Sequence, residues 1–383
     1  MRIKTTVVGS WPRHPEALDI VLRIQRGEKI PEEEFESKME KAVAWAISEM
    51  ASASGPKAKS AGIVGVDVIS DGEQSRFGYV DILRKFRGFG TKLVPMEIRD
   101  ELREELSLVM PELLERTPEP FKFPEIVEPL EYVGKNYTLR EIFRAKKYLP
   151  EDKELFYTVP SPATIMIFYP YSKEAYRDDV EAVHGIAKAL SNDYRTVLSV
   201  EGVYLQVDDP ASAMGYHIKW GEEFFEKLEE HISALNEALK GLQSNRIRLH
   251  ICYGNYAGPH VHDVALEKVL PKILEAKVGT LLLEMANPRH EADVEVFKEY
   301  ETDKIIAIGV IDVKTPIVEH PKVVKKRLVD ASKYIPVERL WATTDCGFGT
   351  FAQTPPIPLK IAELKLNSLV EGAYLASKEL GLI

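Results

Sequence analysis

Short apolar runs rich in β-branched residues recur along the chain, each ending in polar residues or glycine, and longer stretches of helical periodicity separate them. Residues 5–10 (TTVVGS) predict a first strand that stops at the turn Gly9-Ser10-Trp11-Pro12. Pro31 followed by Glu32, Glu33 and Glu34 opens a helix over 31–53, in which Phe35, Met39, Val43, Ala44 and Ile47 keep one apolar face. A second strand over 64–70 ends in Asp71-Gly72-Glu73-Gln74. From 81 to 155 the pattern loosens into charged, proline-broken segments, among them Thr117-Pro118-Glu119-Pro120, and reads as a partly helical insertion. Alternation then resumes, with strands over 156–162, 203–207, 246–252, 279–283, 305–310 and 340–344. Helices are expected over 173–199, 221–242 and 359–379. Eight strands alternating with helices predict an α/β fold, a (β/α)8 TIM barrel occupying 1–383 as one domain, with the 81–155 insertion between strands two and three.

In such a barrel the functional groups gather at the carboxyl ends of the strands. Ser10, Glu73, Asp208, Cys252, Glu284, Asp312 and Cys346 all fall at or just past the ends of apolar runs. His250 and Cys252 are two residues apart in a strand, so their side chains share a face. The chain has only two cysteines, too few for a disulfide framework, and Cys346 ends another strand in the same way. Together with Glu284 they form a candidate zinc site of two thiolates, an imidazole and a carboxylate, whose soft sulfurs disfavour magnesium and calcium. The bland alternative is two buried small side chains and a histidine at a strand end. Thiolate-rich zinc is a weak Lewis acid towards water, but it holds an incoming thiol as thiolate, although a free thiol has a pKa of ~8.5. The chemistry this suggests is alkylation of a thiol.

Length and charge narrow the class. A chain of 383 residues that is 45% hydrophobic buries a large core, and a net charge of −10 without blocks of like charge argues against nucleic acid as a partner. The N-terminus enters an apolar strand without the pattern of a signal peptide, and no run approaches a membrane span. The expectation is a cytoplasmic protein with no membrane partner.

The ordered motifs TTVVGSWP, Asp71-Gly72-Glu73, Gln206-Val207-Asp208-Asp209-Pro210-Ala211, His250-Ile251-Cys252-Tyr253, Gly309-Val310-Ile311-Asp312 and Asp345-Cys346-Gly347 resemble the catalytic domain of the cobalamin-independent methionine synthase family. The resemblance implies zinc ligation by His250, Cys252, Glu284 and Cys346. It also implies that Gly9, Ser10, Glu73 and Asp208 hold the amino-acid end of homocysteine, which suits paired carboxylates facing an ammonium group. Three departures bear on the methyl donor. Lys314 stands where folate-using members carry a histidine that protonates the leaving group, Phe168 replaces an indole, and no stretch matches the N-terminal half of the long synthases. They argue against methyl-folate and leave room for a corrinoid protein or another donor, with Asp312 and Lys314 as candidate catalytic groups at the rim.

The stretches from His250 to His260 and from Ala286 to His290 are also similar to the epoxyalkane:coenzyme M transferases, where Arg76, Arg289 or Lys314 would meet the sulfonate. A non-catalytic zinc- or thiol-binding protein is a third reading. His260, His262 and Asp263 suggest either a second metal or, preferably, a helix cap at Asp263 with histidines in a loop. Phe168, Tyr169 and Tyr171 read as a donor pocket or as packing.

Overall fold

The computed structural model describes residues 1–116, 121–353 and 355–383. Eight parallel strands close a barrel: β1 (Lys4–Thr5), β2 (Val68–Ile69), β5 (Glu154–Pro160), β6 (Val203–Asp208), β7 (Ile247–Ile251), β8 (Thr280–Leu283), β9 (Ile305–Ile311) and β10 (Leu340–Thr344). Hydrogen bonding runs β1-β10-β9-β8-β7-β6-β5-β2, and a parallel bridge between Thr6 and Val68 joins the two ends. The (β/α)8 expectation therefore holds. Strands β7, β8 and β10 are buried at every residue, because one face packs inside the barrel and the other under the surrounding helices.

Several expected elements match closely. The last helix is Leu359–Glu379, and the helix after β5 is Asp179–Leu198, whose Asp178 cap accepts the Glu181 N–H. That helix buries Ala182, Val183, Ile186, Leu190, Tyr194 and Val197 at helical spacing. Truncating Leu190 to alanine would cost ~2–5 kcal/mol.

The first strand is shorter than the pattern predicts. The Asp67 carboxylate takes the Thr5 N–H and hydroxyl at 2.8 and 2.9 Å, and beyond the Thr6 bridge the chain leaves the sheet. Three covering helices, Pro15–Gln25, Leu266–Ile273 and Pro321–Ala331, escaped the periodicity. The second is eight residues long and contains Pro271, and the third is interrupted by lysines. Asp263 does not cap the helix that follows it, since Ala265 occupies that position without a side-chain bond.

The segment between β2 and β5 is more than partly helical. It contains the helices Asp100–Val109, Pro111–Arg116 and Lys135–Tyr148 and an antiparallel ribbon of β3 (Phe86–Pro95) and β4 (Lys122–Tyr132). Thr117 to Pro120 lie outside the described residues. A buried Lys85–Asp193 ion pair of 2.8 Å ties this segment to the barrel, and Asp193 also accepts from Tyr132 and Thr138. Among the described residues, no helix is long and apolar enough to cross a membrane.

Candidate metal centre and substrate pocket

Strand ends supply the donors. His250 is the fourth residue of β7, Cys252 follows its end, and Cys346 lies two residues past β10. A donor atom from each of these three buried side chains lies within 4.8 Å of the others. His250 Nδ1 is buried without a hydrogen-bond partner. A bond from Cys346, and then the nearby His250, draw the Cys252 thiol down to about 5, while burial pushes the Cys346 thiol well above its usual value. One charge is thus already favoured on the sulfur pair. An unpaired imidazole nitrogen beside two thiols that share a proton suits Zn2+, which prefers nitrogen and sulfur donors.

Glu284, one residue past β8, stands next to this triad. Its Oε2 lies 3.7 Å from Cys346 Sγ and accepts the Tyr253 N–H at 3.1 Å. Its Oε1 accepts from Asn287 Nδ2 at 2.7 Å and from the Lys314 ammonium. Burial alone would raise the carboxyl, but Lys314, with His260 and His290, more than offsets it and holds Glu284 below the ordinary value. Lys314 itself is raised, since the attraction of Glu284 outweighs its own burial.

The Lys314 side chain pairs with Glu284 rather than with the side chain of Asp312, the other candidate catalytic group at the rim. Asp312 Oδ1 accepts instead from the Lys314 backbone N–H at 2.8 Å.

The opposite wall of the mouth carries the carboxylates. Glu73 follows β2 with a φ of 55°, a strained value for a residue with a Cβ. Its Oε1 accepts from Thr158 Oγ1 at 2.9 Å, and its buried Oε2 has no partner. Gly9 makes room for it: a Cβ at Gly9 would sit 3.0 Å from Glu73 Oε1 and 2.9 Å from Thr158 Cγ2. Asp208 ends β6 and accepts from Gln206 at 2.8 Å. Burial raises it to about 7, with Glu73 and Cys252 adding to the effect and His250 opposing it. Ser10 Oγ accepts the Gly349 N–H at 3.3 Å and lies against Gly347.

One small cavity of about 50 Å3 is lined jointly by Ser10, Glu73, Asp208, His250, Cys252 and Cys346. The fold thus brings both halves of the predicted site together. Tyr79, Asn255 and Thr350 also line it and were not anticipated. Their loops carry no periodic signal, although Tyr79 lies in the loop that follows Glu73.

Asp345 was also missed as a site residue. Its Oδ1 accepts the Met285 and Ala286 N–H groups at 2.9 and 2.8 Å, fixing the backbone just after Glu284. Burial, then Glu284 and Asp312, push its carboxyl well above the usual range.

Among the described residues the donor group that could hold a metal is His250, Cys252 and Cys346, and His260 and Asp263 are not part of it. Asp263 is a hub whose Oδ2 bonds His260 at 3.1 Å and His290 at 2.8 Å, while His217 lies 3.5 Å from its Oδ1. The His262 backbone N–H donates to Glu105, and its ring faces Glu104. Phe168 packs edge-on against Tyr79 and Phe123, and Tyr169 lies beside Phe89 and Phe123, so these rings join the core to the ribbon.

A family model described as "Cobalamin-independent synthase, Catalytic domain" matches residues 138–365. The chain belongs to that family. It is 26% identical over 385 residues to a protein of Saccharolobus solfataricus named methionine synthase, covering 99% of this chain and 96% of the relative. A methionine synthase of Sulfurisphaera tokodaii is 27% identical over 378 residues, covering 99% and 94%. Among solved structures, the B12-independent methionine synthase from Shewanella sp. W3-18-1, in complex with selenomethionine, superposes with a TM-score of 0.74 at 21% identity, covering all of both chains. A putative vitamin-B12 independent methionine synthase from Listeria monocytogenes gives 0.64 at 20% identity, covering 98% of each. At these identities the structural likeness speaks for the fold.

Proposed function

We propose that this chain transfers a methyl group to the sulfur of homocysteine, forming methionine, at a zinc ion held by His250, Cys252 and Cys346, with the Glu284 carboxylate beside them. The observation that carries this reading is the shared pocket, with two sulfurs and an imidazole on one wall and two buried carboxylates on the other. When bound there, zinc keeps an incoming thiol deprotonated at neutral pH, so that it reacts as a nucleophile.

The protein's own groups supply orientation. The unpartnered Oε2 of Glu73 and the carboxylate of Asp208 receive the substrate ammonium, and Gly9 and Ser10 shape the wall beside them. Asp208, raised to about 7, gains its full charge only when a cation arrives.

The same electrostatics favour an amino-acid thiol over a sulfonated one. Arg76 donates to Thr158 and lies over the Tyr157 ring, Arg289 donates to the Val261 carbonyl, and Lys314 is paired with Glu284. None of these three cations lines the pocket.

The methyl donor follows from the same commitment of Lys314. A folate leaving group takes a proton on nitrogen as it departs, and an ammonium held by Glu284 is a poor source for it. A corrinoid leaves with the bonding electron pair on cobalt and takes no proton, so a methyl-corrinoid protein is the donor we assign. The activity is assigned to the cytoplasm.

The test is a titration of the cobalt-substituted protein, following the sulfur-to-metal charge-transfer band with homocysteine and coenzyme M in parallel, then turnover with methyl-corrinoid and methyl-folate donors. A band induced selectively by homocysteine is expected. A response to coenzyme M alone, or binding without turnover by any donor, refutes the reading.

A further inference from the structure

Glu284 is the one member of the four-residue set whose side chain is already fully engaged. Asn287 and Lys314 both bind its Oε1, and the Tyr253 N–H binds its Oε2. The mutual donor cluster within 4.8 Å contains only His250, Cys252 and Cys346 among the described residues. The carboxylate therefore lies beside the triad, held by a buried ammonium that reaches in from the loop after β9. Lys314 makes no other side-chain hydrogen bond or ion pair recorded for it, and both partners are almost fully buried. A buried ion pair that loses one partner must find another cation, because an uncompensated buried charge costs ~3–5 kcal/mol. The nearby His260 and His290 imidazoles are already bonded to Asp263, which leaves the metal as the cation free to take the carboxylate.

We propose that Lys314 is a positioning residue that competes with the metal for the Glu284 carboxylate and thereby keeps a coordination position open for the substrate sulfur. The inference rests on the zinc reading given above. Two thiolates already cancel the charge of Zn2+, so a third, from substrate, makes the centre anionic beside Glu284. The Lys314 ammonium is the group that offsets this. Removing it frees Glu284 to bind the metal, which tightens the protein's grip on zinc and obstructs the thiol. A merely structural lysine would move the two affinities together or not at all.

The experiment measures zinc affinity against a chromophoric chelator, and homocysteine affinity from the charge-transfer band of the cobalt protein. In Lys314→Met, zinc is expected to bind about tenfold more tightly and homocysteine about tenfold more weakly, the range typical of groups that act on a ligand from behind. Lys314→Arg should retain wild-type values for both. Lys314→Gln covers a failure of the methionine variant to fold, since its amide still donates to Glu284, and the same opposed shifts are expected in smaller measure. In an E284Q background the lysine substitution should change neither affinity. Unchanged affinities in Lys314→Met, or weaker zinc binding, overturn the proposal while leaving the zinc reading intact. A wild-type protein that takes up no zinc overturns both.

Discussion

Gly309 and Asp345 approach so closely that a methyl group on Gly309 would lie 1.9 Å from Asp345 Oδ1. The contact occurs where the β9–β10 register shifts between Thr343 and Thr344, and it lets the Asp345 carboxyl cross to the N–H groups of Met285 and Ala286. The backbone that carries Glu284 is therefore pinned through a glycine two strand positions before Ile311. Gly309→Ala should destabilise the protein by ~1–3 kcal/mol through overpacking and weaken zinc binding as well. Chemical denaturation with a parallel chelator titration checks both. Asp345→Asn keeps an acceptor oxygen for both N–H groups and should be mild, whereas Asp345→Ala leaves two buried N–H groups unpaired and should cost ~1–3 kcal/mol or more.

Cys252→Ala and Cys346→Ala should each abolish stoichiometric zinc and turnover while the far-ultraviolet circular dichroism stays that of the folded barrel. Metal analysis after gel filtration is the direct check. Full activity in a metal-free double variant would end the proposed chemistry.

Asp208 predicts a pH dependence of two kinds. Burial raises its carboxyl from 3.8 to about 7, so the neutral form is favoured in the folded protein. The stability contributed by that form is complete below the unfolded value and is lost as pH rises through the folded one. Asp208→Asn keeps it. In metal-free protein the melting-temperature advantage of the variant should open between about pH 4 and 7 and then level off, reflecting roughly 2–4 kcal/mol. Affinity for methionine, whose sulfur does not titrate, should strengthen in the wild type from pH 6 to 8 and remain flat and weak in the variant.

Glu73 couples strain to binding. Its φ of 55° is one that glycine adopts freely, so Glu73→Gly should gain about 1 kcal/mol of stability and lose substrate affinity. Glu73→Gln retains the side chain without its charge and should raise the KM for homocysteine roughly 10- to 100-fold, the worth of a charged hydrogen bond. Calorimetry and steady-state kinetics separate the two effects.

The candidate donors were legible because strand geometry is local. Two residues apart in β7 is enough to put His250 and Cys252 on one face, and the strand-end rule then gathers Cys346, Glu284, Asp208 and Glu73 without knowledge of loops. The partners of those residues were not legible. Lys314 reaches Glu284 from a different loop, and Asp263 draws His217 and His290 from separate stretches in addition to its near neighbour His260, so no spacing announces the Lys314, His217 or His290 contacts. The β3–β4 ribbon was hidden for another reason. Its strands are largely exposed, as with Leu93, and the charged residues between them mask the alternation.

The barrel wall is unevenly built. β6 to β10 are joined by ladders of four or more residue pairs, and they carry His250, Cys252, Glu284, Cys346 and Asp208. β1 and β2 contribute two residues each and meet through a single bridge, yet the loops after them supply Gly9, Ser10 and Glu73. If Gly9, Ser10 and Glu73 recognise the thiol as proposed, a lineage could exchange those loops for ones suited to another thiol at little cost to the better-laddered strands, so diversification within such proteins should concentrate in the first two loops and spare β7 to β10.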